Sequence, residues 1–133
     1  DISRTFVCGN DFNNTQKELY SMSLEQINHN SNLIKADMSF KEFTEKSWKL
    51  PEEYYGNRYS VMVHGIGLCD EWPSIRYPTD GGDKSGRFLK NMTITVESYI
   101  GKVGGKEGVK LEQQYLVGEN GLELMSHHPL ENI

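Results

Sequence analysis

Val61-Met62-Val63-His64-Gly65-Ile66-Gly67 places an imidazole at the end of a valine-rich run that stops on glycines, the composition of a strand entering a tight turn. Two later stretches have the same character. Thr93-Ile94-Thr95-Val96-Glu97-Ser98-Tyr99 and Gly108-Val109-Lys110-Leu111-Glu112-Gln113 each carry a glutamate among strand-forming residues. A carboxylate buried in such a run is costly unless a positive group meets it, and a metal ion shared with His64 would do so. Taken singly, each residue has a plainer reading: strands with one wet face carry Glu at alternate positions, and a histidine beside a glycine is more often a hydrogen-bonded structural residue. Their grouping with Asp1-Ile2-Ser3-Arg4-Thr5, and their order along the chain, favours the shared site.

Upstream of these strands the pattern is helical. From about Phe12 to Ile34, Leu19, Met22, Ile27 and Leu33-Ile34 recur among Gln, Lys and Glu, as in an amphipathic helix. A second helix is expected near Ser39, where Ser39-Phe40-Lys41-Glu42 has capping-box spacing, with Pro51 just past its end. After Tyr54, β-branched runs alternate with glycine-rich turns, and Glu119-Asn120-Gly121 joins Tyr115-Leu116-Val117 to Leu122-Glu123-Leu124-Met125. Two helices followed by a curved antiparallel sheet is an α+β arrangement.

The 133 residues suffice for one core. A net charge of −5 with mixed signs, no Lys/Arg cluster and no long apolar stretch argue against nucleic-acid or membrane partners and leave a small molecule as the natural one. Cys8 and Cys69 lack zinc-type spacing and read as free thiols of a reducing, cytoplasmic compartment. Asn13-Asn14-Thr15 and Asn91-Met92-Thr93 match the glycosylation acceptor pattern, which arises often by chance. His127 and His128 beside Pro129 read as exposed tail residues.

Asp1 before Arg4-Thr5, His64 opening a His-Gly-x-Gly stretch, Glu97 in a Thr-Val-Glu strand and Glu112 in a Val-Lys-Leu-Glu strand resemble, in family order, the C-terminal half of the pita-bread, or creatinase-type, metallohydrolase fold. The resemblance covers nearly the whole chain. It implies that Asp1, His64, Glu97 and Glu112 are ligands of a dinuclear divalent-metal site, of iron, manganese, zinc or cobalt, and that the protein forms a homodimer. The family's other metal aspartates lie upstream of the position matching Asp1. The 133 residues are therefore expected to be a partial catalytic domain, with an N-terminal domain and the start of the catalytic domain preceding it.

Peptidases of this family follow the metal histidine with a second one, as His-Gly-x-Gly-x-x-x-His-Glu. Here the stretch reads His64-Gly65-Ile66-Gly67-Leu68-Cys69-Asp70-Glu71, one residue shorter and with Asp70 where that histidine falls. Exchanging a neutral donor for an anionic acceptor removes support for a tetrahedral oxyanion and installs a group that can take a proton, which favours elimination over hydrolysis. Together with Val96-Glu97-Ser98-Tyr99 and Gly104-Gly105-Lys106-Glu107-Gly108-Val109-Lys110-Leu111-Glu112, it is similar to the creatinase-fold dimethylsulfoniopropionate lyases of marine bacteria. That resemblance implies Asp70 as catalytic base and Tyr59 against the substrate. On residue type alone Asp70 is more commonly a turn aspartate, and Tyr59 is equally a core or sheet-face aromatic. Other readings are an Xaa-Pro dipeptidase or aminopeptidase with Asp70 as a local substitution, and a metal-free binding module of the same fold.

Overall fold

The computed structural model describes residues 1–9, 11–68, 71–82 and 84–130. Helix α1 spans Asn14–Leu33. It opens on a reciprocal cap: the Gln16 N–H donates to the Asn13 side chain at 2.9 Å, and the Asn13 N–H donates to the Gln16 side chain at 3.0 Å, so two otherwise orphaned donors are met. Leu19, Tyr20, Ser23, Gln26, Ile27 and Asn30 are its buried residues, at the three- and four-residue spacing of one helix face.

Helix α2 (Phe40–Lys46) starts at Ser39, whose hydroxyl accepts from the Glu42 N–H at 3.0 Å. The expected capping box is only half made, because the Glu42 carboxylate turns to Lys46 Nζ at 2.7 Å, one helical turn on. The sequence predicts two helices; the structure has a third, α3 (Glu52–Tyr55), with Pro51 as its N-cap. Proline cannot donate a backbone N–H, and a helix start is where that donor goes unused.

Five strands follow: β1 (Val61–Gly65), β2 (Ser74–Arg76), β3 (Thr93–Gly101), β4 (Gly108–Val117) and β5 (Leu122–Leu124). They form one antiparallel sheet in the order β2-β1-β3-β4-β5. Alternation along β3 and β4 assigns the two sheet faces different tasks. Ile94, Val96, Ile100, Val109, Leu111 and Val117 are buried in one core with Leu19, Tyr20, Ile27 and Phe43. On that face Ser98 Oγ donates to Gln26 Oε1 at 2.6 Å, and Gln26 Nε2 donates to Tyr77 Oη at 2.5 Å, fixing α1 across the sheet. Full burial of each large apolar side chain contributes roughly 1.5–3 kcal/mol, so this layer is what holds the sheet flat against α1. The opposite face is left to His64, Glu97 and Glu112.

Candidate metal centre

Cross-strand register brings the charged groups together. Glu97 on β3 lies directly opposite Glu112 on β4, and His64 on β1 lies opposite Thr95, two residues from Glu97 on the same face. Acids paired directly across a sheet repel each other, yet Glu97 and Glu112 are only 2% and 4% exposed. His64 stands beside both: its Nε2 is 3.6 Å from Glu97 Oε1 and 3.3 Å from Glu112 Oε1.

The ring of His64 is oriented from behind. Its Nδ1 lies 2.9 Å from the Gly65 carbonyl, an acceptor only, so Nδ1 carries the proton and Nε2 is the nitrogen turned toward the carboxylates. A backbone carbonyl on one ring nitrogen with the other facing anionic oxygens is the arrangement of a metal-binding imidazole. Glycine at 65 is a steric necessity. A Cβ there would sit 2.1 Å from the Trp72 carbonyl oxygen and 2.8 Å from Pro73 Cδ, where the β1–β2 connection closes over the strand through the Gly65 N–H to Pro73 O bond of 2.8 Å.

The N-terminal segment covers the third side. Ser3 and Glu112 exchange backbone hydrogen bonds of 3.2 and 3.1 Å, and Ser3 Oγ donates to Glu112 Oε2 at 2.8 Å. Arg4 clasps the Ser3 and Glu112 carbonyls at 2.9 and 2.7 Å, while Thr5 Oγ1 donates to the Lys110 carbonyl at 2.7 Å. This lays Asp1 over the sheet. Asp1, His64 and Glu112 each offer a ligand atom within 4.8 Å of the others, with Asp1 exposed and the other two buried. Glu97 joins that trio through His64 and through Lys110, whose ammonium contacts Glu97 Oε2 and lies 4.0 Å from Glu112 Oε2.

The charged groups of the site shift one another. Burial pulls the His64 imidazole down, but the Glu112 hydrogen bond and the Gly65 carbonyl outweigh it, so its pKa is raised above 6.5. Burial pushes the Glu112 carboxyl up, yet His64 and Ser3 hydrogen bonds and the Lys110 charge hold it down at about 2. Lys110 is lowered, chiefly by burial, against the pull of Glu112 and Glu71. Two atoms on this face, Glu97 Oε1 and Thr95 Oγ1, are buried with no hydrogen-bond partner among the described residues. A buried, unpartnered carboxylate oxygen beside an imidazole Nε2 suits a divalent cation.

Of the residues expected from sequence, Asp1, His64 and Glu112 come within mutual reach of one ion, while Glu97 lies outside that trio, 3.6 Å from His64 Nε2 and in contact with Lys110. Tyr59 lies alongside, 43% exposed, with Lys110 Nζ 4.3 Å from its ring centroid. Asn57, Arg58, Tyr59, Tyr99 and Lys110 line an open cavity of about 450 Å³ next to the carboxylates. Asp70 and Cys69 lie outside the described residues. Cys8 is an exposed free thiol. His127 and His128 are exposed, as expected. Sequence pattern does not single out Lys110, Ser3 or Glu71; the one signal it holds is that Lys110 and Glu112, two apart in a strand, share a face.

Residues 1–119 match the metallopeptidase family M24. The chain belongs to this family. Among curated relatives, it is 34% identical to the dimethylsulfoniopropionate lyase DddP of Roseovarius nubinhibens, over 98% of this chain and 30% of the relative. It is also 34% identical to the Xaa-Pro dipeptidase of Pyrococcus furiosus, over 95% of this chain and 35% of the relative. Among solved structures, the prolidase from Pyrococcus horikoshii superposes with a TM-score of 0.77 at 27% identity, covering 99% of this chain and 37% of that one. The chain thus spans about a third of the length of the curated relatives it matches. The α+β pita-bread reading is borne out by these neighbours. No helix among the described residues is long and apolar enough to cross a membrane.

Proposed function

We propose that the protein is a metal-dependent carbon–sulfur lyase that cleaves dimethylsulfoniopropionate to dimethyl sulfide and acrylate. The observation that carries this reading is the stretch after His64, where Asp70 stands in place of the second histidine of the peptidase pattern. Identities of 34% and 32% to two DddP lyases, each over 98% of this chain, support it.

In this reading Asp1, His64, Glu97 and Glu112 would hold a dinuclear divalent site, completed by residues outside the 133, and ions bound there would supply Lewis-acid polarisation of the substrate carboxylate, acidifying the adjacent C–H. Asp70 takes that proton; the C–H electron pair becomes the C=C bond of acrylate, and the C–S bond breaks with its pair leaving on dimethyl sulfide. Tyr59 lies against the substrate; its exposure and its place in the cavity beside the carboxylates support this role. We also infer a cytoplasmic homodimer acting on a small molecule.

A second reading is an Xaa-Pro peptidase, favoured by the equal identity to the Pyrococcus furiosus dipeptidase. A metal-free module is less well supported, because Glu97 Oε1 is buried with no hydrogen-bond partner among the described residues even though Lys110 meets the other oxygen.

The test uses the longest polypeptide in which this chain is encoded. Headspace detection of dimethyl sulfide from dimethylsulfoniopropionate is expected, with loss of release and unchanged metal content in Asp70→Asn. Hydrolysis of an Xaa-Pro dipeptide with no sulfide formed would establish the peptidase instead, and normal sulfide release by Asp70→Asn would remove Asp70 from the mechanism.

A further inference from the structure

We propose that Lys110 is a built-in counter-cation of the metal centre, which any ion binding Glu97 through both oxygens has to displace. The inference rests on the reading that this site takes divalent cations and adds a residue that regulates their entry.

Glu97 has two unlike oxygens. Oε1 faces His64 Nε2 at 3.6 Å and has no hydrogen-bond partner among the described residues, whereas Oε2 is taken by the Lys110 ammonium. The same ammonium is 4.0 Å from Glu112 Oε2, whose other oxygen faces His64. Lys110 thus stands on the side of both glutamates away from the imidazole, at a point where a second cation would have to sit to use the remaining oxygens. Two cations cannot share that point at close range, so ion and ammonium exclude each other.

The ammonium, already 4.3 Å from the Tyr59 ring centroid, has room to move: it stands at the edge of the open cavity lined by Asn57, Tyr59 and Tyr99. The Lys110 side chain is 32% exposed, against 2% for Glu97. A flexible stem with a hydrated end and an aromatic face beside it can swing outward without breaking the sheet, since its backbone stays paired with Tyr99 and bonded to Thr5. Arginine at this position would keep the charge; methionine would keep the stem and remove it.

Co²⁺ binding to the longest polypeptide in which this chain is encoded, followed by calorimetry and by the visible absorption of the bound ion, tests this. Lys110→Met is expected to bind Co²⁺ about tenfold more tightly than the unchanged chain, with Lys110→Arg close to the unchanged chain. Equal or weaker binding by Lys110→Met would overturn the proposal while leaving the metal reading standing; no Co²⁺ bound by any of the three would overturn both. A measurement on the unchanged chain covers the case of a variant that does not fold. Acetylation of Lys110, followed by peptide mass spectrometry against exposed Lys41, is expected to rise several-fold when Co²⁺ is added; no change would contradict displacement.

Discussion

Gly65→Ala is the substitution whose consequence can be worked most fully from the structure. The added methyl would lie 2.1 Å from the Trp72 carbonyl oxygen and 2.7 Å from its carbon, so backbone on one side or the other has to retreat by more than ~1 Å to restore van der Waals contact. Two costs follow. Overpacking of a tight contact costs about 1–3 kcal/mol, and stretching the Gly65 N–H to Pro73 O bond of 2.8 Å adds about 1 kcal/mol. The sum, of order 2–4 kcal/mol, corresponds to a fall in Tm of roughly 6–15 °C for a chain of this size. The shift also moves the Gly65 carbonyl that orients His64 Nδ1, so Co²⁺ affinity should fall at least about tenfold, the usual effect of losing an outer partner of a ligating histidine. Urea and thermal unfolding report the first effect and Co²⁺ titration the second. A variant that keeps its Tm within a degree and its Co²⁺ affinity would refute the claim that close approach demands glycine here.

Two further outcomes are expected. In chelator-treated protein, the depressed Glu112 pKa contributes stability that is present above its ordinary 4.5 and is lost as the pH falls toward about 2, while the raised His64 pKa contributes stability that is complete below its ordinary 6.5 and is lost as the pH rises through its higher folded value. Stability of the ion-free form should therefore peak between these ordinary values, by an amount of order 2 kcal/mol; a flat urea midpoint from pH 3 to 8 would contradict the His64–Glu112 coupling. Asn13→Ala removes half of the reciprocal cap on α1 and should cost about 1 kcal/mol in urea unfolding, whereas no measurable loss would show that the cap is redundant.

Strands β1, β3 and β4 are legible in the sequence because valine and isoleucine runs stop on glycine-rich turns, and α1 because its apolar residues keep helical spacing over many turns. Other elements are not legible, for reasons particular to each. Helix α3 is four residues long, too short to show any period. The capping pattern at Ser39 is present, but Lys46 competes for the Glu42 carboxylate, and the complete box forms instead at Asn13 and Gln16, where asparagine and glutamine fill the roles of serine and glutamate. The candidate ligands are visible as odd polar residues in apolar runs. Their meeting depends on the register that sets Glu97 opposite Glu112, which single-strand patterns do not contain. Lys110 is hidden for a related reason: on its own strand it is an ordinary alternating polar residue, and only the neighbouring strand supplies its carboxylate.

His64, Glu112 and Asp1, with Glu97 beside His64, are expected to converge on a cation. Anomalous diffraction at the cobalt edge from crystals grown with Co²⁺ tests it most directly. A peak is predicted about 2.0–2.3 Å from His64 Nε2 and from carboxylate oxygens of Glu112 and its neighbours. Cobalt bound only elsewhere, for instance at the exposed His127 and His128, would contradict it.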